Sequence, residues 1–222
     1  MPEQLGFDLP GTPALGREDF LVAPSNALAM ALIDAWPNWN AGKLVVTGPQ
    51  GSGKTHLAHV WTARSGATVL AATDLAKADI PDLAASHVVV EDVPDIAGLE
   101  TAETALFHLH NLTLAQGQTL LFTGRKPLAS WPIVLPDLKS RLQGAAMAEL
   151  ASPDDALLSA VLAKQFNDRQ IMPKSDVIPY LVKHMDRSFA AAADIVMRLD
   201  ALSLARKQAI TRPLAVELLG DQ

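Results

Sequence analysis

Residues Gly48-Pro49-Gln50-Gly51-Ser52-Gly53-Lys54-Thr55 constrain this chain more than any other stretch. They match G-x-x-x-x-G-K-[ST], a pattern whose glycines let successive backbone N–H groups converge on a phosphate. The flanks supply the context that the pattern needs. Lys43-Leu44-Val45-Val46-Thr47 is a short apolar run that predicts a buried strand, and His56 to Ala63 holds neither Gly nor Pro and predicts a helix. Strand, glycine turn and helix start together build an anion cradle, because the dipole at the helix N-terminus adds positive potential to the converging N–H groups. The expected phosphate contacts are Pro49, Gln50, Gly51, Ser52, Gly53, Lys54, Thr55 and His56. Lys54 reaches toward the β- and γ-phosphates and the Thr55 hydroxyl toward Mg²⁺.

Bulk properties narrow the remaining choices. The 222 residues suit one large domain or a domain with a small one, and 49% hydrophobic content can fill a core. Aromatic residues make up only 5%, so Ala, Leu and Val do most of the packing. The net charge of −6, with no block of like charge, argues against a dedicated DNA-binding surface. No cysteine is present, which excludes disulfides and thiolate metal sites. No apolar run is long enough to span a membrane, and residues 1–20 lack the basic-then-apolar start of a signal peptide. A soluble cytoplasmic protein is the expectation.

Taken in order, residues 1–13 read as a tail interrupted by Gly6, Pro10, Gly11 and Pro13. Within it, Leu5, Phe7 and Leu9 alternate, a pattern that suits either an edge strand or an extended peptide anchored in a partner's pockets. A helix is expected after Pro24, capped by Ser25 or Asn26. Thr68 to Ala72 predicts a second strand, and Pro81 and Ser86-His87 bracket a turn. Val88-Val89-Val90-Glu91-Asp92 predicts a buried strand with two carboxylates at its C-terminal end, which in an open parallel sheet faces the ligand crevice. Downstream of a P-loop, Glu91 is expected on the Mg²⁺ side and Asp92 on the water side. A helix over 101–116 and a strand over 118–124 follow, the latter ending in Thr123, whose hydroxyl either senses a γ-phosphate or simply leads the strand into a turn. A proline-rich loop, a short helix carrying Arg141 and an edge strand at 147–150 complete an α/β pattern. From Ser152-Pro153-Asp154-Asp155 onward only helices are expected, over about 154–168, 175–185, 187–206 and 212–219, with Ser152 as the first cap. His56 and His59, and likewise His108 and His110, have no third ligand beside them, so no metal site is expected at either pair.

The series P-loop, acidic strand end, polar strand end, arginine after a further helix, and helical lid resembles the AAA+ ATPases. Phe20-Leu21-Val22-Ala23-Pro24-Ser25-Asn26-Ala27-Leu28-Ala29 and Gly53-Lys54-Thr55-His56-Leu57 are similar to the bacterial replication initiator DnaA. Pro136-Asp137-Leu138-Lys139-Ser140-Arg141-Leu142 resembles the arginine-finger segment of that group. The chain stops where the lid stops, and Gln4-Leu5-Gly6-Phe7-Asp8-Leu9 is similar to the peptide by which Hda-like regulators of DnaA, here of the α-proteobacterial type, bind the β sliding clamp.

The resemblance implies an AAA+ P-loop fold, with a clamp-binding tail at 1–13, a nucleotide-binding domain at 14–151 and a helical lid at 152–222. It implies ATP or ADP with Mg²⁺ as cofactors, and the sliding clamp and DnaA as partners, with self-association left open. Gln4 and Leu5 would fill one clamp pocket, and Phe7 and Leu9 another. Arg141 would serve as the finger that promotes hydrolysis of DnaA-bound ATP. Three positions depart from the family pattern: Glu91 replaces the usual Asp, Ala190 stands where DnaA has its sensor-2 arginine, and Arg125 follows Thr123-Gly124. They leave intrinsic hydrolysis open. The rival readings are an AAA+ ATPase that loads a helicase or remodels DNA, and an adaptor whose nucleotide is purely structural.

Overall fold

The computed structural model of the chain describes residues 16–220. The first helix is α1 (Ala27–Asp34), followed by β1 (Lys43–Thr47) and α2 (Lys54–Ser65). Next come β2 (Thr68–Ala71), α3 (Ile80–Ala84), β3 (Val88–Glu91) and α4 (Glu100–Ala115). Then β4 (Leu120–Gly124), α5 (Pro136–Gln143) and β5 (Ala146–Glu149) complete the sheet. Four helices follow it: α6 (Asp155–Asp168), α7 (Val177–His184), α8 (Phe189–Arg206) and α9 (Arg212–Gly220).

The five strands lie in the order β2-β3-β4-β1-β5, and every pairing is parallel. Such a sheet is covered on both faces, so its central strands are apolar throughout instead of alternating with polar residues. Along β1, Val45 packs into one core with Val88, Val90, Phe122 and helix α4, while Leu44 and Val46 pack into the other with Val89, Leu121 and helices α1 and α2. Helices α6 to α9 close around a third core that includes Leu158, Leu162, Phe166, Leu181, Val196 and Leu214. No helix among the described residues is long and apolar enough to cross a membrane.

Three local expectations need correction. Asp154, not Ser152, caps α6: its backbone is extended and its carboxylate accepts the Leu157 N–H at 2.8 Å. Asn26 occupies the N-cap position of α1, but neither its side chain nor that of Ser25 makes a capping hydrogen bond. Asn26 is buried and uses its side-chain oxygen on the Ala23 N–H and its amide on the Leu21 carbonyl, so it braces the incoming segment instead. The turn expected around Pro81 is helix α3, started by Asp79 accepting the Asp82 N–H and by Pro81 in the first turn.

Candidate nucleotide site

The strand ends at Thr47 and the loop turns at once. Gly48 donates to the Gly124 carbonyl of β4 at 3.2 Å, tying the loop to the neighbouring strand. Gly51 and Gly53 take left-handed backbones with φ of 73° and 95°, which non-glycine residues adopt only at a cost. Gly53 is the residue before α2, and no side chain caps that helix. Its first-turn N–H donors therefore face the loop, as an anion site requires. The Ser52 hydroxyl is buried and makes no hydrogen bond.

Lys54 gives the strongest indication of the ligand class. It is 8% exposed, and its ammonium donates to the carbonyls of Gly48 and Pro49, each at 2.9 Å. Two neutral carbonyls are poor compensation for a buried charge. Burial pushes the Lys54 pKa down, opposed by the pull of Asp92 and, less strongly, Glu91, while Arg125 adds to the depression. A phosphate in the cradle would supply the counter-charge. The residues thus fit a nucleotide with Mg²⁺: Lys54 and the loop N–H groups would hold the phosphates, Glu91 and the exposed Thr55 would take the metal side, and Asp92 would take the water side. No cluster of three or more metal-ligating side chains occurs among the described residues, so phosphate oxygens would have to complete the shell.

The second motif sits across the sheet as the strand order requires. Asp92 follows β3 directly with φ 53°, and its N–H donates to the Thr123 hydroxyl at 3.0 Å. Thr123 is buried at the end of β4, opposite Val46 of β1. That bond joins the acidic strand end to the polar one and sets both beside the P-loop. Arg125 lies 3.8 Å from the Asp92 carboxylate. The His56 ring nitrogen Nε2 lies 3.4 Å from the Gly16 carbonyl oxygen, and the ring stands edge-on to Phe20.

The helical segment touches the cradle directly, which sequence reasoning missed. Phe189 N–H donates to the Gly51 carbonyl at 2.9 Å. A Cβ on Gly51 would lie 2.3 Å from Ser188 Cβ, and one on Gly53 would lie 3.1 Å from the Phe189 ring. Both glycines thus clear space for the start of α8 as well as turning the chain. Arg187, about one turn before Ala190, is engaged by the start of α6 and the residues before it. Its guanidinium is held by Asp155 at 2.6 Å and by the Pro153 carbonyl at 3.1 Å.

Arg141 lies at the far end of the sheet. It is exposed near the end of α5, and its carbonyl meets Lys43 at the start of β1. The P-loop leaves the other end of the same strand, roughly 16 Å away for five residues of extended chain. No described carboxylate pairs with its guanidinium. Gln4, Leu5, Phe7 and Leu9 lie outside the described residues.

Residues 155–219 match the family described as the lid domain of Hda. The DnaA replication initiator of Thermomicrobium roseum is 26% identical over 124 residues, which cover 56% of this chain and 27% of that relative. The structure resembles domain III of the Thermotoga maritima initiator DnaA with a TM-score of 0.80, at 18% identity, over 95% of this chain and 97% of that one.

The fold is that of a DnaA-type AAA+ domain, and its last four helices match an Hda-type lid.

A DnaA bound to AMPPCP and single-stranded DNA also matches, with a TM-score of 0.73 and 20% identity over 88% of this chain and 68% of that one. The DnaA-like chain described here has the AAA+ arrangement throughout: a parallel five-stranded sheet with flanking helices and, after it, the Hda-type lid. It spans about a quarter of the length of the T. roseum relative.

Proposed function

We propose that this chain is a nucleotide-binding regulator of replication initiation that binds the β sliding clamp and promotes hydrolysis of ATP held by DnaA. In this reading residues 1–13 form the clamp-binding tail, 14–151 the nucleotide-binding domain and 152–222 the lid. The position of Arg141 carries the reading. An exposed guanidinium at the opposite end of the sheet from its own P-loop cannot serve its own nucleotide, but can serve one bound by a neighbour. Negative charge spreads over the phosphoryl oxygens in the transition state, and a cation supplied in trans stabilises it.

The same reading assigns the chain's own nucleotide a lasting, slowly turned-over role. Asp92 faces Arg125, no lid arginine stands at position 190, and Arg187 is engaged elsewhere. ATP or ADP with Mg²⁺ would then stabilise the contact between α8 and the P-loop rather than drive work. Lys54, Thr55, Glu91, Asp92 and Thr123 bind and orient that nucleotide.

The test is conversion of ATP to ADP on DnaA in the presence of loaded clamp. The full chain should stimulate it. Removal of residues 1–10, or Gln4→Ala with Leu5→Ala, should abolish clamp binding and stimulation while nucleotide binding stays intact. Rapid, DNA-stimulated turnover by this chain alone would instead indicate a helicase loader or remodeller.

A further inference from the structure

We infer that Lys43 is a positioning residue for Arg141, acting by holding the C-terminal end of α5 from inside the protein. This deepens the reading in which Arg141 serves a neighbour's ATP and rests on it.

The last four carbonyls of a helix have no donor within the helix. Arg141 is one of those residues in α5, and the Lys43 ammonium donates to its carbonyl at 2.6 Å. The bond links residues 98 apart in sequence. Lys43 is 4% exposed, and no described carboxylate pairs with it. A buried ammonium that faces a carbonyl, a nearby guanidinium and the buried His110 ring is costly to keep, and both burial and Arg141 depress its pKa. As the first residue of β1, Lys43 would serve the fold alone equally well as an apolar side chain, since its neighbours Leu44, Val45 and Val46 are all buried hydrophobics.

The segment before β1 is shaped to deliver this contact. Ala41 and Gly42 take consecutive left-handed backbones, with φ of 50° and 66°, an unfavourable conformation for alanine. Gly42 passes close under Leu114 of α4, where a Cβ would meet its side chain at 3.1 Å. From the same turn, the Asn40 amide donates to the Gly144 carbonyl at 3.4 Å. The turn therefore grips the end of α5 at two carbonyls, one on each side of Gln143. The exposed side chain of Arg141 projects from a backbone fixed by a buried one.

Arginine has many rotamers, and a finger acts only when its guanidinium meets the transferring phosphoryl group. A backbone shift of about 1 Å in a catalytic group can cost on the order of a hundredfold in rate. The proposal predicts that Lys43→Met, which keeps the aliphatic stem, lowers the maximal rate of DnaA-bound ATP hydrolysis at least about tenfold. The concentration of this chain giving half-maximal stimulation, its own ADP affinity and its thermal midpoint should stay near wild type. Lys43→Gln, which retains a donor, should recover part of the rate. In an Arg141→Ala background, Lys43→Met should lower the rate no further, because it acts through that residue.

If Lys43→Met stimulates like wild type while Arg141→Ala does not, the positioning role is wrong and the finger assignment stands. If neither variant changes stimulation, the finger assignment itself fails. A further loss on adding Lys43→Met to Arg141→Ala would also overturn the inference, since Lys43 would then act by another route. Should Lys43→Met unfold, Lys43→Gln in the two backgrounds gives the same comparison.

Discussion

The contact between α8 and the P-loop yields a sharp prediction through Gly51. An alanine there meets two separate costs. Its φ of 73° is left-handed, worth about 1–2 kcal/mol for a residue with a Cβ. That Cβ would lie 2.3 Å from Ser188 Cβ, so the start of α8 must move and lose the Phe189 N–H to Gly51 carbonyl bond, worth about 1 kcal/mol. Together Gly51→Ala should destabilise the chain by about 3 kcal/mol, or roughly 1.5 M in the urea midpoint at a typical slope. Ser188→Gly alone should cost only a few tenths of a kcal/mol, because glycine is a tolerable helix cap. In the double variant the clash is gone and only the backbone cost remains, giving a favourable coupling of about 1–2 kcal/mol. Urea unfolding of the four proteins, with ADP binding measured in parallel, reads both effects. An unchanged midpoint for Gly51→Ala, or strict additivity of the two substitutions, would refute the claimed contact.

Other perturbations have equally definite outcomes. Lys54→Ala should abolish binding of ADP and ATP in a calorimetric titration while preserving the fold, since only a buried charge facing two carbonyls is lost. Glu103, buried in α4, accepts N–H bonds from Gly98, Leu135 and Val134; burial would raise its pKa, but these bonds outweigh it and the net shift is downward. The stability it adds is therefore complete above about pH 4.3 and lost as pH falls through its lower folded value, and Glu103→Gln should cost about 3 kcal/mol near neutrality. His87 behaves in the opposite sense to a paired histidine. Its Nδ1 accepts the Thr119 N–H at 3.0 Å and burial lowers its pKa, so stability should fall as pH drops below about 6.5, an effect absent in His87→Gln.

The parts of this molecule that were legible in advance are those whose causes are local. The P-loop is a run of adjacent residues whose glycines turn where the letters say they must, and β3 is three β-branched residues ending in acids. The lid announced itself by the helix start at Ser152-Pro153-Asp154-Asp155, and the sheet by its apolar strands. Helix α3 could have been read too, since Asp79 and Pro81 form a helix start, but its five residues show too little periodicity to stand out. What escaped notice depends on chain folding back on itself. Nothing near Gly51 announces that Ser188 will rest on it, and nothing near Lys43 announces a carbonyl 98 residues away. Nor does anything near Arg187 announce that Asp155 and the Pro153 carbonyl will hold its guanidinium. In each case the sequence shows a residue type, while its partner is chosen by topology.

The most direct measurement places labelled ATP on one protein at a time. With label preloaded on DnaA, loaded clamp and the wild-type chain should convert it to ADP in a single turnover, and Arg141→Ala should not, although it still binds clamp and nucleotide. With label preloaded on this chain, conversion should remain slow in both cases. Loss of only the second conversion in Arg141→Ala, or undiminished conversion on DnaA by that variant, would contradict an arginine that acts on a neighbour's nucleotide.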